Sequence, residues 1–276
     1  MNANLSMIQH HRADLDGLRM HFVEAGKGPA VILLHGFPET WYAWRYQIAP
    51  LAQNYRLIVP DLRGYGATDK PASGYDKRTM ANDIRRLMQH LGIQKATIIG
   101  HDRGARVGTR FVKDHPEVVE RFAALDNIPT KVIFDTKKAA FAQFGWFFLF
   151  HSVPHLPQAL IQGREEMWLR FLFGDWTYNP EALSDADIAV YTQAYAQPGG
   201  CMALLPTIAP GVRISSRITP MRTRGSHAPR WHCGEPNSLE RKLWTWRSSG
   251  TTWLQILRLH PSRSQAICHT KSSPNK

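Results

Sequence analysis

The stretch IIGHDRGAR, Ile98 to Arg106, decides how the chain reads. The apolar run ATII leads into Gly100, Asp102 follows, and Gly104 opens the helix-like stretch GARVGTRFVKDHP, which Pro116 stops. Two glycines bracketing one reactive side chain, between a strand and a helix, have the form of a nucleophile elbow: the small residues permit a turn that lifts the central side chain above the sheet. A serine there would need a base to take its proton. A carboxylate, with an ordinary pKa of about 3.9, is already an anion at neutral pH and can attack unaided. Its natural partner is a saturated carbon bearing a leaving group, and the product is an ester on Asp102. Hydrolysis of that ester then needs a general base held in place by an acid. The plainer role for an aspartate here is a helix N-cap.

Outward from the elbow, strand-like and helix-like segments alternate, as in a mostly parallel sheet of the α/β class. LRMHFVEAG, AVILLHG, YRLIVPD, ATIIGHD and RFAALDN are the expected strands. TMANDIRRLMQHLG puts Met80, Ile84, Leu87 and Leu91 on one helical face and ends at Gly92. From about Pro129 to Pro198 the pattern turns helix-like and aromatic, without clear strands. The expected organisation is an α/β core over 1–128, an all-helical insertion over 129–200, and a separate tail over 201–276. The N-terminus has no secretory pattern, and no stretch reaches the roughly 18 apolar residues of a membrane span. These features suggest a cytoplasmic protein that binds no membrane.

Two arginines follow the aspartate, Arg103 and Arg106. Positive charge in the first turn of a helix is disfavoured by the helix dipole unless an anion lies nearby. Asp102 is one such anion, and a substrate carboxylate, which the forked guanidinium suits, would be a second. Arg106 pairing with Asp102 at i+4 and doing nothing more is the simpler reading. In HGFP, His35 to Pro38, the strand AVILL enters a turn whose Phe37 N–H, with that of Arg103, would form an oxyanion hole. Asp126 ends the strand RFAALD.

With HGFPETWYAWR, DLRGYGATDKP, GHDRGAR, LDNIPT and LPQALIQGREEMWLRFLFGDW in this order, roughly residues 15–200 resemble the α/β-hydrolase superfamily, in its haloacetate (fluoroacetate) dehalogenase and epoxide hydrolase branch. The resemblance implies an α/β-hydrolase fold with a helical cap, Asp102 as nucleophile and Asp126 as charge-relay acid. It also implies that Arg103 and Arg106 bind a substrate carboxylate, and that a small-molecule haloacid or epoxide is the substrate. A His-Trp pair that binds halide falls at Trp146-Phe147, so Trp146 is the expected cap contact. No metal or organic cofactor is implied. Epoxide hydrolysis is the alternative activity.

The resemblance also implies two more strands after the cap and a loop carrying the catalytic histidine. The composition changes instead. Residues 1–200 hold 22 Lys and Arg against 20 Asp and Glu, whereas residues 201–276 hold 12 against 2. The net charge of +12 therefore lies almost wholly in the tail. The tail has no regular basic or arginine-aromatic pattern of a nucleic-acid module, although a binding role or an inactive protein stays open as a further alternative. Cys201, Cys233 and Cys268 have no metal or redox spacing. None of His227, His232, His260 or His269 follows an apolar run with a glycine before it.

The genetic code suggests why. Read one base earlier, GCMALLPTIAPG can encode MHGAFADYRAG, WHCGE can encode LALWG, and QAICHTKSS can encode SGHLPHEEQ. In the family's order these resemble the end of the cap, the seventh strand and the histidine loop. The tail is thus expected to be out of frame from about residue 201, with the histidine codon spread across Ala266 and Ile267.

Overall fold

The computed structural model describes residues 5–127, 146–153 and 155–200. The tail expected from residue 201, with its histidines, and the start of the expected insertion at 129–145 lie outside the described residues.

A six-stranded sheet runs in the order β1-β2-β4-β3-β5-β6. Its strands are β1 (Gln9–Asp14), β2 (Arg19–Ala25), β3 (Ala30–Leu34), β4 (Arg56–Pro60), β5 (Ala96–His101) and β6 (Val119–Leu125). The β3–β4, β3–β5 and β5–β6 pairs are parallel, while β1 and β2 add an antiparallel margin. All five expected strands are present. The additional strand, β1, is QHHRAD, which is mostly exposed and has too little apolar alternation to signal a strand on its own. Its register on β2 supplies what its side chains do not.

Because successive residues of a strand face opposite ways, β3 feeds two cores. Ile32 and Leu34 pack with Met80, Ile84 and Leu87 of α2 (Lys77–His90) and with Val107 and Phe111 of α3 (Asp102–Asp114). Val31 and Leu33 pack on the other face with Trp44 and Ile48, from a 3-10 turn (Trp41–Trp44) and α1 (Arg45–Leu51). Helix α2 begins two residues before the stretch read from the sequence, with the Asp76 side chain accepting from Arg78 and Thr79 N–H, and stops, as expected, at Gly92 with φ 66°.

The described residues from 146 to 200 are helical or loop. Residues 146–150 are helical, followed by α4 (Leu156–Ile161), α5 (Glu165–Trp176) and α6 (Asp185–Tyr195). Helix α6 opens with a capping box between Ser184 and Asp187. This segment meets the carboxyl end of the sheet through rings: Phe147 and Trp176 against Phe37, Tyr191 against Tyr42, and Tyr195 against Tyr65. One buried ion pair, Arg45 to Asp187 at 3.1 Å, crosses the same contact. Among the described residues no helix is long and apolar enough to cross a membrane.

Candidate active site

Asp102 is the first residue of α3 and follows directly on β5. Its φ is 42°, in the left-handed region that a non-glycine residue enters at a cost of order 1–3 kcal/mol, as expected of a strained elbow. The flanking glycines make the turn possible by close approach. A Cβ on Gly100 would lie 2.6 Å from Ala105 N, and one on Gly104 would collide with the carbonyl oxygens of Leu34 and His35. The elbow is therefore packed down onto the end of β3.

That packing brings the turn after β3 to the carboxylate. Phe37 donates its N–H to Asp102 Oδ1 at 2.9 Å, and Arg106 donates from Nη2 to Oδ2 at 3.0 Å. Burial pushes the Asp102 carboxyl up, but the charge of Arg106, the Phe37 hydrogen bond, and the charges of His101 and Arg103 outweigh it and hold the group below the usual carboxylate range. It is an anion at neutral pH, with about a third of its side chain exposed.

Both arginines are buried, at 5% and 7% exposure, which is rare for the residue type without compensation. The Arg103 guanidinium lies over the rings of Phe37 at 5.0 Å and Tyr65 at 5.6 Å, and that of Arg106 over Phe148 at 5.3 Å. Burial pulls the Arg106 pKa down, and Asp102 opposes that pull. The elbow thus gathers the charges of two arginines around one carboxylate.

Asp126 stands just past the end of β6, exposed, with φ 44°. The β5–β6 register pairs His101 with Leu125, so Asp126 follows at the level of Asp102. Trp146 lies among the rings of the helical segment. Its ring contacts are with Phe147, Phe150, Trp168 and Phe171 of the helical segment, while the ring on Arg106 is that of Phe148.

Several residues at the site escape sequence reasoning. His35 is fully buried; its Nε2 accepts the Leu62 N–H at 3.0 Å, which leaves the proton on Nδ1 to donate to Gly36 O at 2.9 Å. It is a neutral imidazole bracing the HGFP turn, and burial lowers its pKa accordingly. Glu39 and His101 form a second bracket, 3.0 Å apart. His151, 3% exposed, touches Phe37, Phe147, Phe150 and Trp168. Burial, and then the Arg103 charge, drive its pKa down to about 3. The only sequence hints were position: His101 precedes Asp102, and Glu39 follows the HGFP turn. Among the described residues no group of three or more His, Cys, Asp or Glu could hold a metal ion.

Comparison with known proteins agrees with this architecture. A family model described as alpha/beta hydrolase fold matches residues 29–178. A soluble epoxide hydrolase of Corynebacterium sp. (strain C12) is 41% identical over 210 residues, covering 75% of this chain and 73% of its own. A fluoroacetate dehalogenase of Burkholderia sp is 35% identical over 199 residues, covering 69% and 65%. The crystal structure of Cfl2 wild-type from Burkholderia cenocepacia superposes with a TM-score of 0.67 at 37% identity, over 74% of this chain and 71% of that one.

Proposed function

Because the chain belongs to the alpha/beta hydrolase fold family, we propose that it is a hydrolase that opens its substrate with the Asp102 carboxylate, and that the substrate is a small 2-haloacid such as a haloacetate. The observation that carries this reading is the elbow: an anionic carboxylate raised on a strained turn, with two buried arginines beside it. A carboxylate oxygen attacks the carbon bearing the halogen from the far side. The carbon–halogen bond breaks, halide leaves with the electron pair, and an ester forms on Asp102. Arg103 and Arg106 hold the substrate carboxylate, and the Phe37 and Arg103 N–H groups serve the ester oxygen. The similarity to the fluoroacetate dehalogenase supports this choice.

Epoxide hydrolysis is the second reading. It is favoured by the Arg106–Asp102 ion pair, which already occupies one arm of that guanidinium, and by the similarity to the soluble epoxide hydrolase. Mass spectrometry after incubation with bromoacetate or with an uncharged epoxide separates the two. The haloacid reading requires an adduct localised to Asp102 with bromoacetate. It also requires Arg106→Ala to slow that labelling by about 10²-fold, the cost of truncating one partner of a buried charged contact, and to slow epoxide labelling far less. Faster labelling by the epoxide than by bromoacetate would favour the second reading.

The second half of the reaction is water attack on the ester, with Asp126 orienting the base. We place the codon for that base out of frame in the tail, across Ala266 and Ile267, so the chain stops at the ester. Losing such a base costs on the order of 10⁴-fold in turnover. Multiple turnovers would overturn this part, as would close relatives that encode the same tail in frame; the nucleotide sequence around the Gly200 codon is the direct check.

A further inference from the structure

We infer that Glu39 and His101 are positioning residues, an ion pair that aims the Phe37 N–H at Asp102 and places a positive charge beside that carboxylate. The inference rests on the reading of Asp102 as the nucleophile. Its basis is a convergence at one point. Glu39 Oε2 accepts the Gly36 N–H at 2.7 Å and lies 3.0 Å from His101 Nδ1, while the Glu39 N–H donates to Gly36 O at 3.2 Å. Gly36 is thereby held through both its N–H and its C=O, and the next N–H along the chain, that of Phe37, is the one that reaches Asp102 Oδ1 at 2.9 Å.

Gly36 measures how tightly the parts are drawn together. A side chain there would meet His101 Nδ1 at 2.8 Å, Glu39 Oε2 at 2.9 Å and Asp102 Cβ at 3.0 Å. The turn after β3 and the end of β5 are thus held by Glu39 across 62 residues of sequence. Without the Glu39 carboxylate, the Gly36 N–H loses its acceptor and Gly36 is held only through its carbonyl, by the Glu39 N–H and His35 Nδ1.

The charge state follows from the surroundings. Burial opposes the imidazolium, but the Glu39 carboxylate, its hydrogen bond, and the charges of Asp102 and Asp126 raise His101 to about 9. Burial likewise pushes Glu39 up, and His101 with the Gly36 N–H brings it below the usual range. From the helical segment Tyr191 is the group that senses Glu39, and burial raises it well above an ordinary tyrosine. Tyr65 and Tyr75 are also raised, so neither titrates near pH 9. Burial pulls Lys77 well below the ordinary lysine range, so the His101→Gln variant is what tells Lys77 and His101 apart. The His101 pKa is raised, so its contribution is complete below the ordinary imidazole range and is lost as pH rises through about 9.

The test uses the full chain, its Glu39→Gln and His101→Gln variants, bromoacetate as the probe with peptide mapping of the Asp102 adduct, and a carboxyl-carbon NMR titration of Asp102. The wild-type labelling rate is expected to be flat through neutral pH and to fall above about 9. Glu39→Gln should lower the plateau by about tenfold and move the fall toward the ordinary imidazole range, and His101→Gln should abolish the fall. In both variants the Asp102 titration should shift upward. A wild-type rate that stays flat past pH 10, or variants with the wild-type profile and Asp102 titration, would overturn the inference. If neither bromoacetate nor an epoxide labels wild-type Asp102, the nucleophile reading fails, and the NMR titration decides the role of the pair by itself. If one variant does not fold, the labelling profile and the Asp102 titration of the other decide.

Discussion

Buried polarity is handled differently on the two sides of the Asp102 site. On the sheet side, the charged groups around the site meet partners of opposite charge or fixed backbone donors: Asp102 with Arg106 and Phe37 N–H, Glu39 with His101, and Arg63 with Asp83 through two bonds at 2.7 and 2.8 Å, although Trp44 Nε1 and Arg45 Nε stay buried without a hydrogen bond among the described residues. In the helical segment the closure is made of rings. There His151 Nε2 and Trp168 Nε1 are buried without a hydrogen-bond partner among the described residues. The lesson is physical. A paired charge in a low-dielectric setting tolerates little displacement, so the sheet side holds one geometry. Ring packing asks chiefly for volume and shape, so the segment above it can be altered at less cost.

Substitutions can break or sharpen this contrast. The largest effect is expected at Gly104→Ala, because a Cβ there meets the backbone of Leu34 and His35 rather than a movable side chain. A loss of about 4 kcal/mol, in the severe tail of single substitutions, should appear in chemical denaturation. A loss under about 1 kcal/mol would mean that the elbow is not packed as described. Asp83→Ala strands the Arg63 guanidinium, and removing one partner of a buried pair should cost about 3 kcal/mol by the same measurement. A near-neutral result would erase the distinction between the two sides.

The smallest effect belongs to the ring side. His151→Phe keeps volume and removes an unsatisfied nitrogen, so its stability at pH 8 should lie within about 1 kcal/mol of wild type. The pH dependence is the sharper readout. With a folded pKa of about 3, below the ordinary imidazole value, His151 stabilises the fold above about pH 6.5 and loses that contribution as pH falls toward 3. At pH 5 the variant should gain about 2 kcal/mol relative to wild type. Equal acid sensitivity in the two proteins would place a polar partner or water on the imidazole.

Much of the sheet was legible because its strands are short apolar runs between turn signals, and helix α2 because Met80, Ile84 and Leu87 recur at helical spacing. The strand β1 was not, since QHHRAD has no apolar face and gains its place by pairing with β2. The elbow was readable because its chemistry is local: two glycines, one carboxylate and two arginines lie within seven residues, Gly100 to Arg106. Which of three adjacent rings, Trp146, Phe147 or Phe148, lies over Arg106 was not legible, because sequence spacing does not say which one turns toward the sheet.

By itself, then, the sequence determined the strand-turn-helix around Asp102, its negative charge and the family to which the chain belongs. Those features depend on neighbours along the chain and on intrinsic acidity. Only the tertiary structure decided what surrounds that carboxylate: the Phe37 N–H across 65 residues, the Glu39–His101 bracket, and the rings of Phe37, Tyr65 and Phe148 on the arginines. Such contacts are fixed by the register of β3 against β5 and by the close approach that Gly36 and Gly104 permit, which no local pattern encodes.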